Sequence, residues 1–419
     1  MTLKPPSFAV ALKRGLGRAL VHLEHHQDES TRKVVWDALL HCQRHDPQVE
    51  GLGIWYLLEA ARRTGILQEL APRLIQLLDE EDSWDTIQHV LLLGALGGAG
   101  DPLAVKRLRE HFVVCLQGQG QLLNWLIQAL VEAQGEEGLR FALSKLGWAH
   151  QQGLKAAQNA FSLNEAAFLM DCDMQPVIEA WAREDPLIQQ FLNDCLLAKT
   201  VHKPIGALDT SYENISKRLE DTRAGLMQLA RHATEQTLRR LAEDLLQETD
   251  ARRLERYLLL FQRQPFPMGP LPLLPLARHD DPEVRYRAQR GLKHFQSSEV
   301  RKLALELLQD PQNASVGMEL LTLNFQSGDE RMFRDVLNQL VLQEDEDHLW
   351  SFLFELRQVA HQHPTPALLD LMAQGFEHLP CSHCRHQMVL LLKAHQKLPQ
   401  WLEEEARLDL NEDLREEFL

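Results

Sequence analysis

The stretch LPLLPLARHDDPEVRYRAQRGLKHFQ, residues 271–296, constrains the fold of this chain more than any other. An apolar segment from Leu271 to Ala277 runs into a polar turn, His279-Asp280-Asp281-Pro282. From Glu283 onward the apolar residues fall at Val284, Ala288, Leu292 and Phe295, the three-to-four spacing of a single helix face. Asp281 is placed to cap that helix with its carboxylate. Pro282 takes the first helical position, where a missing N–H costs nothing, and Glu283 faces the positive helix end. Two helices this short cannot bury their apolar faces alone. They have to stack on other helix pairs.

The same arrangement recurs. Asp28 to Arg32 opens a helix that turns Val34, Val35, Ala38 and Leu39 inward, and Phe8, Leu12, Leu16, Ala19, Leu20 and Leu23 predict a packed first helix rather than a transit peptide. Trp84 to Leu96 is apolar at helical spacing and runs into Gly97-Gly98-Ala99-Gly100, after which Asp101-Pro102 starts the next helix. Near the C-terminus, Asp409 to Arg415 is again a polar turn into a helix. The set Asp281, Val284, Arg285, Ala288 and Leu292 resembles one unit of a HEAT repeat, and the Gly100-Asp101-Pro102 joint before Ala104-Val105 resembles that of bacterial HEAT-like repeats. The resemblance implies an all-α chain, an α-solenoid of stacked antiparallel helix pairs (armadillo-type), in which Arg285 braces the turn between helices. It implies about eight to ten pairs at a period near 40, and a non-catalytic scaffold or adaptor that binds another protein on an extended surface. The repeat register is lost between Leu139 and Leu208. A joint at Leu208 to Asn214 then divides the chain into an N-terminal half, 1–208, and a C-terminal half, 209–419.

The totals fit that architecture and exclude others. The chain of 419 residues is 44% hydrophobic and 25% charged with only four Tyr, and no alternating run rich in Val, Ile and Thr reads as a strand. A net charge of −16 disfavours a general nucleic-acid or anionic-membrane binder. No apolar run approaches the ~20 residues of a membrane span. Six Cys, four of them in apolar helical contexts, point to a reducing, cytoplasmic setting. The motifs of P-loop, nucleophile-elbow, zincin and dinucleotide-binding enzymes are absent, so the chain reads as a non-enzyme.

Three clusters carry the candidate chemistry. Residues 215–302 are net basic, roughly +5, against the acidic remainder. There Arg239, Arg240, Arg252, Arg253 and Arg256 would face an acidic protein partner. A phosphate-contacting groove of the kind found in HEAT-like DNA glycosylases is the alternative, and helix-surface ion pairs with Glu243, Asp244, Glu248, Asp250 and Glu255 are the structural explanation. His45, Asp46, Gln48 and Glu50 form a polar loop that could bind a partner or simply make an Asp-Pro turn. Cys381, Cys384 and His386 have the spacing for a zinc site, although a second paired motif is missing. A redox pair or a plain helix start are the other readings. The eight Trp (36, 55, 84, 125, 148, 181, 350 and 401) fall mainly in apolar runs and are expected in the core.

Overall fold

The computed structural model describes residues 7–78, 83–118, 122–155, 161–198, 209–223, 225–343 and 345–418. Among these every regular element is a helix, and none is long and apolar enough to cross a membrane. The helices begin where the sequence supplies an oxygen for the orphan N–H groups of a first turn. Asp28 accepts from Thr31, Ser83 from Thr86, Thr234 from Thr237, Ser297 from Val300, Thr365 from Leu368 and Asn411 from Leu414. Asp101 and Asp281 each accept two backbone N–H groups ahead of a proline at the first helical position. Each such cap contributes about 1 kcal/mol.

The described residues fall into two compact units. One contains residues 7–198 with 381–383 and 403–418; the other contains residues 209–380 and 384–402. In the first, packing runs serially. Gly17–His25 and Glu29–Leu40 lie on Ile54–Arg63, Trp84–Gly98 lies on Leu123–Gln134, and Glu136–Gln151 lies on Pro186–Ala198. In the second, Ala251–Leu259 packs on Pro282–Leu292, that helix on Ala314–Leu321, and Ala314–Leu321 on Glu346–Gln362. Between Leu139 and Leu208, where the sequence register is lost, the helices are Glu136–Gln151, Leu163–Met170, Gln175–Glu184 and Pro186–Ala198. Pro176 and Pro186 sit in first turns, as their lack of an N–H requires. The proposed joint falls partly outside the described residues; Ser211 already caps the Tyr212–Asp221 helix.

The unit at residues 271–296 forms as its residues dictate. The apolar segment makes a short helix, Leu273–Leu276, and the second helix runs Pro282–Leu292 with Val284, Ala288 and Leu292 fully buried. Arg285 turns back across the loop and donates from Nη1 to the carbonyls of His279 (2.6 Å) and Asp280 (3.1 Å). The geometry is repeated twice. Arg385 Nη1 donates to Leu379 and Pro380 at 3.0 and 3.2 Å, and Arg415 Nη1 to Asp409 and Leu410 at 2.9 and 2.8 Å. In all three the arginine bridges the carbonyls five and six residues back. Two of the turns share a further bond, from the N–H of Asp281 to His279 Nδ1 and from that of Asn411 to Asp409 Oδ1. Arg32 behaves differently: it reaches Glu69 on another helix at 3.1 Å.

One expectation is corrected and another gains a second reason. The first helix is two, Phe8–Arg14 and Gly17–His25, because Gly15 adopts the left-handed conformation (φ 72°) and its carbonyl accepts the N–H of Leu410 at 2.8 Å. The Gly97-Gly98 pair closes its helix, which runs Trp84–Gly98. Those glycines, with Gly94, let the backbone meet Leu123–Gln134 closely: a Cβ on Gly94 would stand 2.8 Å from Cα of Ala129, and one on Gly97 would stand 2.8 Å from Cβ of Ala133. Glycine here serves packing.

Candidate functional site

That close crossing sets two tryptophans side by side in the first unit. Trp84 and Trp125 occupy the first turns of the paired helices, with ring centroids 6.2 Å apart at an interplanar angle of 66°. Trp55, in the first turn of Ile54–Arg63, is 44% exposed. Together they line a groove of about 640 Å3 whose floor includes Leu58, Leu91 and Ala95 and whose rim includes Glu132 and Glu412.

The last residues of the chain complete the groove. Leu410 is buried and sits over Gly15 and Gly53, both with positive φ, where any side chain would collide with it. Arg415, already bonded to the two carbonyls of its own turn, lays its guanidinium over the Trp55 ring at 4.1 Å. Burial makes its charged form harder to hold and lowers its pKa, opposed by Glu412 and Asp409. A little further back, Arg18 binds Glu405 from both its backbone N–H (3.1 Å) and its Nε (2.9 Å). Burial raises the Glu405 pKa and Arg18 works against it. The backbone of Gly17 lies against the Glu405 carbonyl so closely that a Cβ has no room.

The groove therefore offers flat aromatic faces beside apolar walls, with carboxylates at its lip. Such a surface takes up a bulky apolar side chain, and its edge favours a neighbouring cation. None of the family models, curated proteins or solved structures compared with this chain matches it.

The clusters expected from sequence lie elsewhere and are largely occupied. Arg256 donates to the carbonyls of Leu219 (2.7 Å) and Glu220, closing the end of another helix. Arg253 pairs with Glu248 at 2.7 Å, and Arg240 stacks on Tyr212 at 3.6 Å. Arg239 and Arg252 are exposed. The five arginines thus divide into three intramolecular braces and two outward charges. In the polar loop, Asp46 accepts the N–H of Gln48 at 3.2 Å and opens the short Pro47–Glu50 helix, with His45 half-buried beside it. The side chain of Glu50 lies outside the described residues. The adjoining helix end is closed by other groups: Gln88 donates to the carbonyls of Ala38 and Leu39, His89 contacts that of Leu40 at 2.9 Å, and Asp85 accepts from Cys42.

Cys381, Cys384 and His386 are each buried at or just inside the start of the Ser382–Ala394 helix. Among the described residues no group of three or more His, Cys, Asp or Glu is placed to hold a metal ion. The zinc reading therefore gains no geometric support, and the buried thiols sit in a helix start.

The tryptophans overturn their sequence assignment. None of the eight is in the buried core; all are half-buried or exposed. A bulky indole closes the edge of a core while keeping a rim in water. The signal was present in polar neighbours: Ser83 and Asp85 flank Trp84, Asn124 precedes Trp125, and Gly51-Leu52-Gly53 leads to Trp55.

Proposed function

We propose that this protein is a non-catalytic, HEAT-like helical-repeat scaffold of the cytoplasm that binds another protein, with the Trp55, Trp84 and Trp125 groove as its principal contact. The solenoid reading is supported by three arginine-braced turns of one geometry and by serial helix packing within each unit. The observation that carries the binding role is the aromatic groove, since three indoles sharing one open cleft form a surface of the kind that buries a hot-spot side chain. The partner chemistry that fits is a peptide segment with a large apolar side chain beside a Lys or Arg, the latter meeting Glu132 and Glu412. The arginines of residues 239–256 are mostly engaged within the chain, which favours this groove over the basic face and over a nucleic-acid reading.

The test is affinity purification of the tagged protein from its native host with nuclease treatment, comparing the wild type with a Trp55→Ala/Trp125→Ala variant and an Arg239→Glu/Arg252→Glu variant. A stoichiometric protein partner lost only from the tryptophan variant, while circular dichroism shows a retained helical fold, supports the proposal. A partner that survives the tryptophan changes refutes the groove, and nucleic acid recovered in its place refutes the class.

A further inference from the structure

The second unit contains a cavity of a different character. It is about 480 Å3 in volume, and its lining combines an apolar part, including Leu323 and Phe354, with the charged Arg290, Lys293, Glu319 and Glu355. Arg290 (3.0 Å) and Lys293 (3.1 Å) both approach the same oxygen of Glu319, which is itself buried. Arg290 also donates to the Tyr286 hydroxyl at 3.1 Å. Two cations thus share one carboxylate oxygen, and Lys293 uses one of its three N–H bonds on it. Glu355 lines the same space, where Glu319, Arg290 and Lys293 act on its carboxyl.

We propose that this cavity binds a small carboxylate anion, held by Lys293 and Arg290 against the apolar side, and that Glu355 takes up a proton as the anion enters. The site has donors to spare. With Glu355 protonated, the charged corner carries a net positive charge, and its O–H can donate to an incoming carboxylate oxygen. A cationic ligand would have to settle beside Arg290 and Lys293 and is disfavoured by both.

The groups acting on Glu355 are Glu319 from Ala314–Leu321, Arg290 and Lys293 from the end of Pro282–Leu292, and Arg357 on its own helix. His294 also lines the cavity; its Nε2 meets the Gln262 carbonyl at 3.1 Å, and burial lowers its pKa. Burial first and Glu319 second raise the Glu355 carboxyl to about 7, and the cations only partly offset them. A second anion beside it raises the carboxyl further, which is why the proton must come with the ligand.

Calorimetric titration of the full chain with benzoate, in buffers of different ionisation enthalpy, tests this. Binding should draw up to about one proton per ligand at pH 8, and affinity should fall about tenfold per pH unit above the carboxyl's pKa. Glu355→Gln keeps a donor at the position. It should bind benzoate with neither proton uptake nor that pH dependence, whereas Lys293→Met should abolish binding with the helical fold retained. Absence of benzoate binding, binding of inorganic phosphate in its place, or unchanged proton uptake in Glu355→Gln overturns the proposal. Binding of guanidinium with proton release overturns it in favour of a cation.

Discussion

Replacing Leu410 with alanine should loosen the C-terminal segment from the first unit. Leu410 is 3% exposed and rests on two glycines, Gly15 and Gly53, that have no side chain with which to fill the space it would leave. Burying a leucine is worth roughly 1.5–3 kcal/mol, and Leu→Ala changes in cores cost roughly 2–5 kcal/mol once the residual cavity is included. The Trp55 groove opens beside this site, so water and the indole can relax into part of the void, which sets the expected loss near the lower end, about 2–3 kcal/mol. For a unit of roughly two hundred residues this lowers Tm by roughly 4–12 °C. The assay is differential scanning calorimetry together with amide exchange. Protection of residues 409–418 should fall more than that of the Trp84–Gly98 and Leu123–Gln134 helices. The N–H of Leu410, bonded to the Gly15 carbonyl, is the most direct probe. Unchanged Tm with unchanged exchange at 409–418 would refute the idea that Leu410 anchors the segment.

Two further predictions concern the second unit. Arg285→Ala removes both bonds to the His279 and Asp280 carbonyls and should cost about 1.5–3 kcal/mol in urea denaturation, with Arg285→Lys recovering only part of it because an ammonium lacks the rigid fork; a neutral Arg285→Ala would mean that the brace is decorative. Glu355 has a folded pKa raised from 4.5 to about 7, so its stabilising neutral form is complete below the unfolded value and is lost as pH rises through the folded one. Glu355→Gln should therefore differ from wild type in unfolding free energy by a constant amount below pH 4 and gain on it between pH 4.5 and 7, by up to about 3 kcal/mol; a pH-independent difference between the two in urea denaturation would show that the carboxyl is not held neutral.

Residues 271–296 were legible because local chemistry and tertiary packing agree there. The Asp281 cap, the Pro282 start and the Val284, Ala288, Leu292 face all follow from spacing, and the structure forms each of them. The same rules fail where a contact distant in sequence decides the outcome. Nothing local shows that Gly15 breaks the first helix, because the Leu410 N–H that its carbonyl accepts lies at the far end of the chain. Gly97 and Gly98 read as a helix stop and do end the helix, but only the approach of Ala133 and Glu132 shows that they also serve packing. The arginines at 240, 253 and 256 were visible as a basic cluster, but their partners, Tyr212, Glu248 and the end of Tyr212–Asp221, depend on helix packing. The tryptophans were misassigned because helical periodicity marks the face a residue occupies and not its depth.

The turn braces connect this architecture to the candidate binding surface. Arg285 and Arg385 satisfy two carbonyls each, and Arg385 is fully buried in doing so. Arg415 makes the same pair of bonds, yet its guanidinium also covers Trp55 at one edge of the groove. A residue type that elsewhere holds two helices at a fixed turn here also positions an indole. The bonds to Asp409 and Leu410 fix the Arg415 side chain, and Leu410 is itself fixed by Gly15 and Gly53. Trp55 is then confined between a guanidinium it cannot displace cheaply and an open cleft. Pre-ordering of this kind lowers the entropy that a partner must overcome on binding. It also explains why the groove should depend on residues 403–418: without them Trp55 would lose its cover, Glu412 would leave the lip, and the cleft would flatten into an exposed helix face.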